Sequence, residues 1–159
     1  MKQPSTLQVI LGLPKLLWNY ATNPLKRALF KAAPTPSTQT DLVRLVEKTF
    51  HHEIRAGYEH RFIRLMFVTV ENRVFCRQYQ FSQRSWRDVF PSNPEGQVRL
   101  DNTIANINAR KPKDYDQIIP AVDQAYAEAL RKIGASFLLM GSIEPRAQKS
   151  TMEITLAVL

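Results

Sequence analysis

The chain has 159 residues, 44% of them hydrophobic and 23% charged, which predicts one domain of ordinary size with a buried core. The formal net charge is +8, but residues 41–159 carry only +3 of it. Because no nucleic-acid-binding motif accompanies that small charge, we expect no nucleic-acid partner. Cys76 is the only cysteine, which excludes an internal disulfide and favours a reducing compartment.

The first forty residues form a basic, apolar arm that contains no acidic residue. Its apolar runs are interrupted by Pro14 and Lys15, so they are too short for a membrane span. Asn23 followed by Pro24 predicts the start of a short helix that ends near Phe30. A linker rich in Pro, Ser and Thr follows and leads to the domain.

We therefore predict an arm with its linker over residues 1–40 and a domain over residues 41–159. Two interpretations of the arm stay open. In the first, its apolar side chains pack on the domain or on a partner subunit. In the second, the arm makes peripheral contact with a membrane, with Leu and Trp inserted and lysines near anionic lipid. We expect a cytoplasmic protein, which in the second case lies at the inner membrane surface.

The domain begins with alternating helix and strand signals. Asp41 is predicted to cap an amphipathic helix over residues 41–49, and a first strand follows over residues 51–55. Residues 62–70 form a β-rich run that is apolar on both faces, which suits a strand of a barrel. A tight turn then leads into a strand over residues 74–80.

The C-terminal half contains the strongest helix signal. Two short strands are predicted within residues 97–109, and a long helix runs from its cap Asp114 to Gly134. Pro120 predicts either a kink in this helix or a later start near Ile119. A closing strand covers residues 152–158. These elements predict an α+β domain with four to six strands, one long helix in the C-terminal half and short flanking helices, arranged as a small barrel.

Arginines and hydroxyl side chains crowd around a short predicted helix that carries Ser85-Trp86-Arg87. The members of this cluster are Arg73, Arg77, Ser82, Arg84, Ser85 and Arg87. A helix N-terminus offers unpaired N–H groups and a partial positive charge, and arginines add to both. The cluster therefore predicts a site for a small, phosphate-bearing ligand.

The segment from His51 to Leu156 resembles a little-studied bacterial family related to the FMN-binding split β-barrel superfamily. More distantly, Ser85-Trp86 followed by Asn93-Pro94 resembles the deazaflavin-dependent nitroreductases of that superfamily. The pieces that carry the family resemblance are Glu53-Ile54-Arg55, Val74–Tyr79, Trp86, Gly96-Gln97-Val98, Ala125-Tyr126 and Thr151–Leu156.

The resemblance implies a split β-barrel, often a homodimer, with a flavin at the subunit interface. It suggests FMN or a deazaflavin as the cofactor and an oxidoreductase as the activity, with the ring supplying the redox chemistry. No catalytic residue can be assigned. The residues expected to bind the cofactor are Arg77, Ser82, Arg84, Ser85, Trp86 and Arg87.

Each of these residues also has a purely structural interpretation. Arg77 either binds phosphate or packs its stem on aromatic side chains while its head reaches water. Arg84 and Arg87 fit solvated helix ends, and the two serines fit helix caps. Trp86 either stacks on a ring cofactor or packs in a core or an interface.

Other chemistries find little support in the sequence. His51 and His52 are adjacent on a predicted strand and point to opposite faces, so we expect no metal site there. No nucleophile is paired with a base as in a hydrolase. The alternatives to an oxidoreductase are a non-catalytic barrel that binds another anionic ligand and a protein that binds a partner or a membrane surface through its basic arm.

Overall fold

The computed structural model describes residues 5–29, 32–78 and 86–157. Within these residues the α-helices are α1 (Thr6–Leu29), α2 (Gln39–Lys48), α3 (Trp86–Val89), α4 (Tyr115–Ile133), α5 (Leu139–Ile143) and α6 (Pro145–Lys149). The strands of the same residues are β1 (His52–Ala56), β2 (Ile63–Leu65), β3 (Phe67–Val70), β4 (Arg73–Cys76), β5 (Glu95–Leu100), β6 (Thr103–Arg110) and β7 (Met152–Leu156). The predicted α+β class is confirmed.

All seven strands belong to one antiparallel sheet with the order β2-β1-β5-β6-β7-β4-β3. The two outermost strands, β2 and β3, are consecutive in the chain and only Met66 separates them. The segment predicted as one strand over residues 62–70 therefore bends at Met66. Its first half pairs with β1 and its second half pairs with β4, so the sheet curls into a nearly closed barrel.

The barrel has both an inner and an outer core. Inward side chains of the strands pack with Leu42, Val46 and Trp86, which α2 and α3 supply. On the outside, α4 covers β3 and β4, and Val68 and Phe75 meet the apolar stripe of that helix. Both faces of the chain around Val68 are therefore covered, as its apolar sequence predicts.

The N-cap of α2 differs from the prediction by three residues. Thr38, not Asp41, is the N-cap, and the two side chains form a reciprocal capping box in which each binds the other's backbone N–H. Because the Thr38 hydroxyl also donates to the Asp41 carboxylate, the pKa of Asp41 lies below its ordinary value. A good capping residue at N3 was therefore mistaken for the cap itself.

The arm contains one continuous helix where the sequence predicted interrupted runs and a short helix from Pro24. Pro14 and Pro24 both lie within α1, so the expected start at Asn23-Pro24 was wrong. Both prolines are exposed. A proline in a helix leaves one carbonyl without its N–H donor, but water can take that place at an exposed position.

The long helix α4 is continuous from Tyr115, so the alternative start near Ile119 was wrong. Its C-terminal end at Gly134 is confirmed, with a left-handed φ of 81°. The side chain of Asp114 makes no capping hydrogen bond, because it pairs with Arg73. The predicted strand over residues 74–80 ends at Cys76, and residues 79 and 80 lie outside the described residues.

Candidate functional site

Arg77 is fully buried just beyond β4, under α4. Its Nε donates to Oγ1 of Thr151 at 2.8 Å, and its Nη1 donates to the carbonyl of Ser142 at 3.0 Å. Nη1 also donates to the carboxylate of Asp123 at 2.5 Å, and the guanidinium lies 5.2 Å from the centre of the Tyr126 ring. The whole side chain is shielded from water. The structural interpretation from the sequence had expected the guanidinium to reach water.

The charge of Arg77 is balanced within the protein. Asp123 supplies the opposite charge, and Gln148 donates to the second oxygen of that carboxylate at 2.8 Å. Nη2 of Arg77 is buried and has no hydrogen-bond partner among the described residues. The arrangement ties α4 and the segment after α6 to the end of β4, and among the described residues nothing accepts a hydrogen bond from Nη2 of Arg77.

The other candidate residues are only partly described. Ser82, Arg84 and Ser85 lie outside the described residues. Trp86 is buried in the inner core, with its ring edge-on to that of Phe90. Arg87 is half-buried, and its guanidinium pairs with the adjacent Asp88 at 2.9 Å. Trp86 thus packs inside the barrel whereas Arg77 lies under α4, and the cofactor-binding role of the set stays a prediction.

A basic cavity of about 360 Å³ lies beside the start of α4. Arg73 lines it and donates to both Asp114 and Glu153 at 2.8 Å, which lowers the pKa of Asp114. The other cations that line the cavity have no ion pair among residues 5–29, 32–78 and 86–157, although Lys111 packs on the Tyr115 ring. They are Arg110, Lys111 and Lys113. The cavity favours an anion, and of the cations that line it the sequence analysis had named only Arg73 as a member of the anion-binding cluster.

The bend at Met66 leaves backbone groups that no neighbouring strand can pair, and two side chains bind them. The backbone N–H of Phe67 donates to Nδ1 of His52 at 3.2 Å. The hydroxyl of Tyr126 donates to the carbonyl of Met66 at 3.0 Å. Buried backbone groups need such partners, so His52 and Tyr126 hold the barrel at the place where its sheet is interrupted.

The same hydrogen bonds fix the state of the His52 ring. Because Nδ1 accepts a hydrogen bond, the other nitrogen carries the hydrogen and faces the carbonyls of Val46 and Thr49, each at 3.2 Å. Burial lowers the pKa of His52 to about 4. The ring is therefore neutral at physiological pH and acts as a connector between α2, β1 and β3.

This neutral histidine predicts a pH-dependent stability. Between about pH 6.5 and pH 4 the unfolded chain binds a proton at His52 that the folded chain does not, so stability falls as the pH falls. We expect the free energy of unfolding to drop by about 2 kcal/mol between pH 7.5 and pH 5 because of His52. Urea titrations at several pH values measure the drop.

The matched variants are His52→Gln and His60→Gln. The first should lose most of the slope of the unfolding free energy against pH, and the second should keep this slope. His60 is exposed in the segment between β1 and β2. A slope that survives in His52→Gln would mean that another group binds the proton.

A larger cavity of about 820 Å³ lies outside the bend at Met66. We call it the seam groove. Residues 65–69 form one side, α4 contributes Ala125, Ala129 and Ile133, and α1 contributes Lys15 and Asn19. No sequence pattern predicted this cavity, although alanines at two adjacent turns of an apolar helical stripe leave space that larger residues would fill.

Helix α1 crosses beside the seam groove and contacts the domain at two places. Near its start, Gly12 lies against the backbone of Gly134, and a Cβ at Gly12 would come within 2.6 Å of the Gly134 carbonyl oxygen. Further along, the ring of Tyr20 lies 5.9 Å from the guanidinium of Arg64 on β2. Leu16 packs between these contacts against the α4–α5 cluster.

The opposite face of α1 is an apolar stripe, which we call the outer stripe. Its members are spaced four or seven residues apart, which places them along one side of a helix. Each is between 62% and 73% exposed: Leu7, Leu11, Trp18, Leu25 and Leu29. Single exposed apolar residues are ordinary, but an aligned row of five is typical of an interaction surface.

Metal coordination and nucleophilic chemistry at Cys76 find little support in the described residues. Within residues 5–29, 32–78 and 86–157, no three His, Cys, Asp or Glu side chains gather as metal ligands would. Cys76 lies in the inner core, and burial raises the pKa of its thiol, so it is a poor nucleophile.

Among the described residues, no helix is both long and apolar enough to cross a membrane.

No protein-family profile matches this sequence, and no curated protein is significantly similar to it. The resemblance to the split-barrel superfamily is therefore supported by the nearly closed barrel alone.

Proposed function

We propose that this protein is a peripheral membrane protein and that α1 attaches the barrel domain to an anionic lipid surface. The observation that carries the proposal is the outer stripe. One face of α1 packs on the domain through Gly12 and Leu16, so the opposite face, which carries Leu11 and Trp18, points away from it.

The composition of the arm indicates what covers this face. Residues 1–40 contain five cations and no acid. A second copy of the arm would bring the same charges together, whereas an anionic membrane would attract them by about 1 kcal/mol for each cation near the surface. A helix lying in the interface buries its apolar face at the boundary between headgroups and acyl chains, which suits a row of Leu and Trp.

Vesicle sedimentation tests this function. We expect the full-length protein to sediment with vesicles of phosphatidylcholine and phosphatidylglycerol, and to bind more weakly to phosphatidylcholine alone or in 0.5 M salt. Trp18→Glu should weaken binding at least tenfold, because it removes a large apolar side chain from the surface and adds a charge there.

Gln117→Glu is the matched control. It adds the same charge at an exposed position of α4, away from the outer stripe, and should bind vesicles nearly as the wild type does. If the two variants bind equally, or if the wild type does not sediment with anionic vesicles, α1 is not a membrane-binding helix.

A second candidate function is the binding of FMN or a deazaflavin, with oxidoreductase activity and the cofactor at the interface of a homodimer. One observation favours it: Nη2 of Arg77 is a buried donor without a partner among the described residues. The paired carboxylate of Asp123 weakens the attraction of that guanidinium for a phosphate. In this function Arg77 would direct one hydrogen bond at the phosphate, and the cofactor would supply the redox chemistry.

Calorimetric titration with FMN and with a deazaflavin, together with an absorbance spectrum of the purified protein, tests the second function. Binding in the micromolar range or tighter supports it. Because loss of Arg77 also removes the partner of Asp123, the informative variant is Arg77→Lys in a protein shown to be folded. Absence of binding to both cofactors would restrict the resemblance to the fold.

A further inference from the structure

We infer that the seam groove binds a single-chain anionic lipid, with its acyl chain against the bend at Met66 and its charged group at the rim. The inference rests on the proposed function for the source of that lipid. It assigns to the domain a lipid-binding site that is separate from the outer stripe of α1.

The groove exists because of how the barrel closes. With a single residue between β2 and β3, these strands cannot turn back and pair as a hairpin, which needs at least a two-residue loop. They diverge to β1 and β4 instead. The diverging chain exposes Leu65 and Met66 toward a space that α4 borders with alanines.

The walls of the groove are apolar where an acyl chain would lie. Leu65, Met66 and Val68 form the barrel side, and Ala129 and Ile133 form the α4 side. Two polar backbone groups at the bend already have hydrogen-bond partners. His52 binds the N–H of Phe67, and Tyr126 binds the carbonyl of Met66. The volume of about 820 Å³ lies within the range that ligand-binding cavities occupy.

The rim of the groove is suited to a negative group. Four cations line it, and none has an ion pair among the described residues: Lys15, Lys48, Arg64 and Lys132. Of the two acids that also line the groove, Glu47 accepts a hydrogen bond from Thr69, and Glu128 accepts one from Gln124. The rim therefore has a net charge of +2, which favours an anionic headgroup over a cationic one.

Helix α1 places this rim next to the proposed membrane contact. Lys15 lines the groove, whereas Leu11 and Trp18 belong to the outer stripe of the same helix. An anionic lipid that leaves the bilayer beside α1 would meet Lys15 first. The helix thus connects the membrane surface with the cavity.

Calorimetric titration of the full-length protein with tetradecanoate, below its micelle concentration, tests the inference. We expect micromolar affinity for tetradecanoate, at least tenfold weaker affinity for octanoate, and at least tenfold weaker affinity for tetradecyltrimethylammonium. The comparison with octanoate tests the contribution of the acyl chain length, and the comparison with tetradecyltrimethylammonium tests the contribution of the headgroup charge. Equal affinity for the anionic and cationic amphiphiles, or no binding of tetradecanoate, would overturn the inference.

Filling the groove should abolish this binding. Ala129→Trp places a ring in the cavity and should lower the affinity for tetradecanoate at least tenfold, and Ala125→Trp provides a second variant if the first does not fold. Gln124→Trp, at an exposed position of the same helix, should bind as the wild type does. Equal affinities in a folded Ala129→Trp and in Gln124→Trp would place the ligand elsewhere and contradict the inference.

The two proposals fail in distinguishable ways. Trp18→Glu should lose vesicle binding and keep its affinity for tetradecanoate, whereas Ala129→Trp should lose tetradecanoate and keep vesicle binding. Vesicle binding without tetradecanoate binding would contradict only the inference that the groove binds lipid. Binding of tetradecanoate without vesicle binding would contradict only the proposed membrane function.

Discussion

Replacement of Asp123 with Ala is expected to lower the free energy of unfolding by about 3–5 kcal/mol. Asp123 balances the charge of Arg77, whose side chain has no exposed surface. Without the carboxylate, the hydrogen-bond partners that the described residues leave to the buried guanidinium are the neutral groups of Thr151 and Ser142. The cost of an uncompensated buried charge makes this the largest single-residue effect that we expect, and urea-induced unfolding followed by circular dichroism measures it.

Two further variants separate the ion pair from the rest of α4. Glu128→Ala removes an acid from an exposed position of the same helix and should change the stability by less than about 0.5 kcal/mol. Arg77→Met combined with Asp123→Leu removes both charges and should recover much of the loss. If Asp123→Ala is as mild as Glu128→Ala, Arg77 does not depend on Asp123, and the guanidinium is available to an anionic ligand.

Replacement of Gly134 with Ala is expected to lower the free energy of unfolding by about 2–3 kcal/mol, for two reasons that add. The residue has a φ of 81°, a left-handed conformation that costs a residue with a Cβ about 1–2 kcal/mol. Its new Cβ would also collide with the carbonyl oxygen of Gly12 on α1. The collision should push α1 off the end of α4, so protease cleavage within α1 should accelerate as well.

The chain supplies controls for both causes. Gly57 has a φ of 61° and nothing near its missing Cβ, so Gly57→Ala should show the conformational cost alone. Gly141 also has open space around it and no positive φ, and Gly141→Ala should be nearly neutral. Equal losses in Gly134→Ala and Gly57→Ala would mean that α1 does not pack on Gly134 in solution.

Elements with strong local signals were predicted well from the sequence. The stripe of α4, its end at Gly134 and the turn between β3 and β4 depend on local periodicity and on residues that favour positive φ, such as Asn72. The prediction of a barrel also held, because the run over residues 62–70 is apolar on both faces.

Features that depend on distant parts of the chain were missed. The bend at Met66 follows from pairing with β1 on one side and with β4 on the other, which no local pattern reveals. The helices α5 and α6 are too short to show a period, yet Ser142 in α5 accepts a hydrogen bond from Arg77. The partner of Arg77, Asp123, lies 46 residues away in the chain, and no local pattern connects the two.

The candidate site was therefore predictable only in part. Sequence alone singled out Arg77 as a candidate phosphate ligand, and the structure shows it to be the largest of the fully buried side chains among the described residues. The continuous helix α1 was hidden by Pro14 and Pro24, so the outer stripe could not be recognised as one aligned row. The seam groove depends on the bend and on the position of α1, and neither was accessible from local patterns.

Tryptophan fluorescence tests the membrane function most directly, because the chain contains two tryptophans with opposite exposure. Trp18 lies in the outer stripe, 69% exposed, and Trp86 is buried in the barrel. In a folded Trp86→Phe variant, we expect anionic vesicles to shift the Trp18 emission to shorter wavelength, and we expect lipids with a quencher in the acyl chain to reduce it. Emission that stays unchanged at high concentrations of anionic vesicles would contradict the attachment of α1 to a membrane.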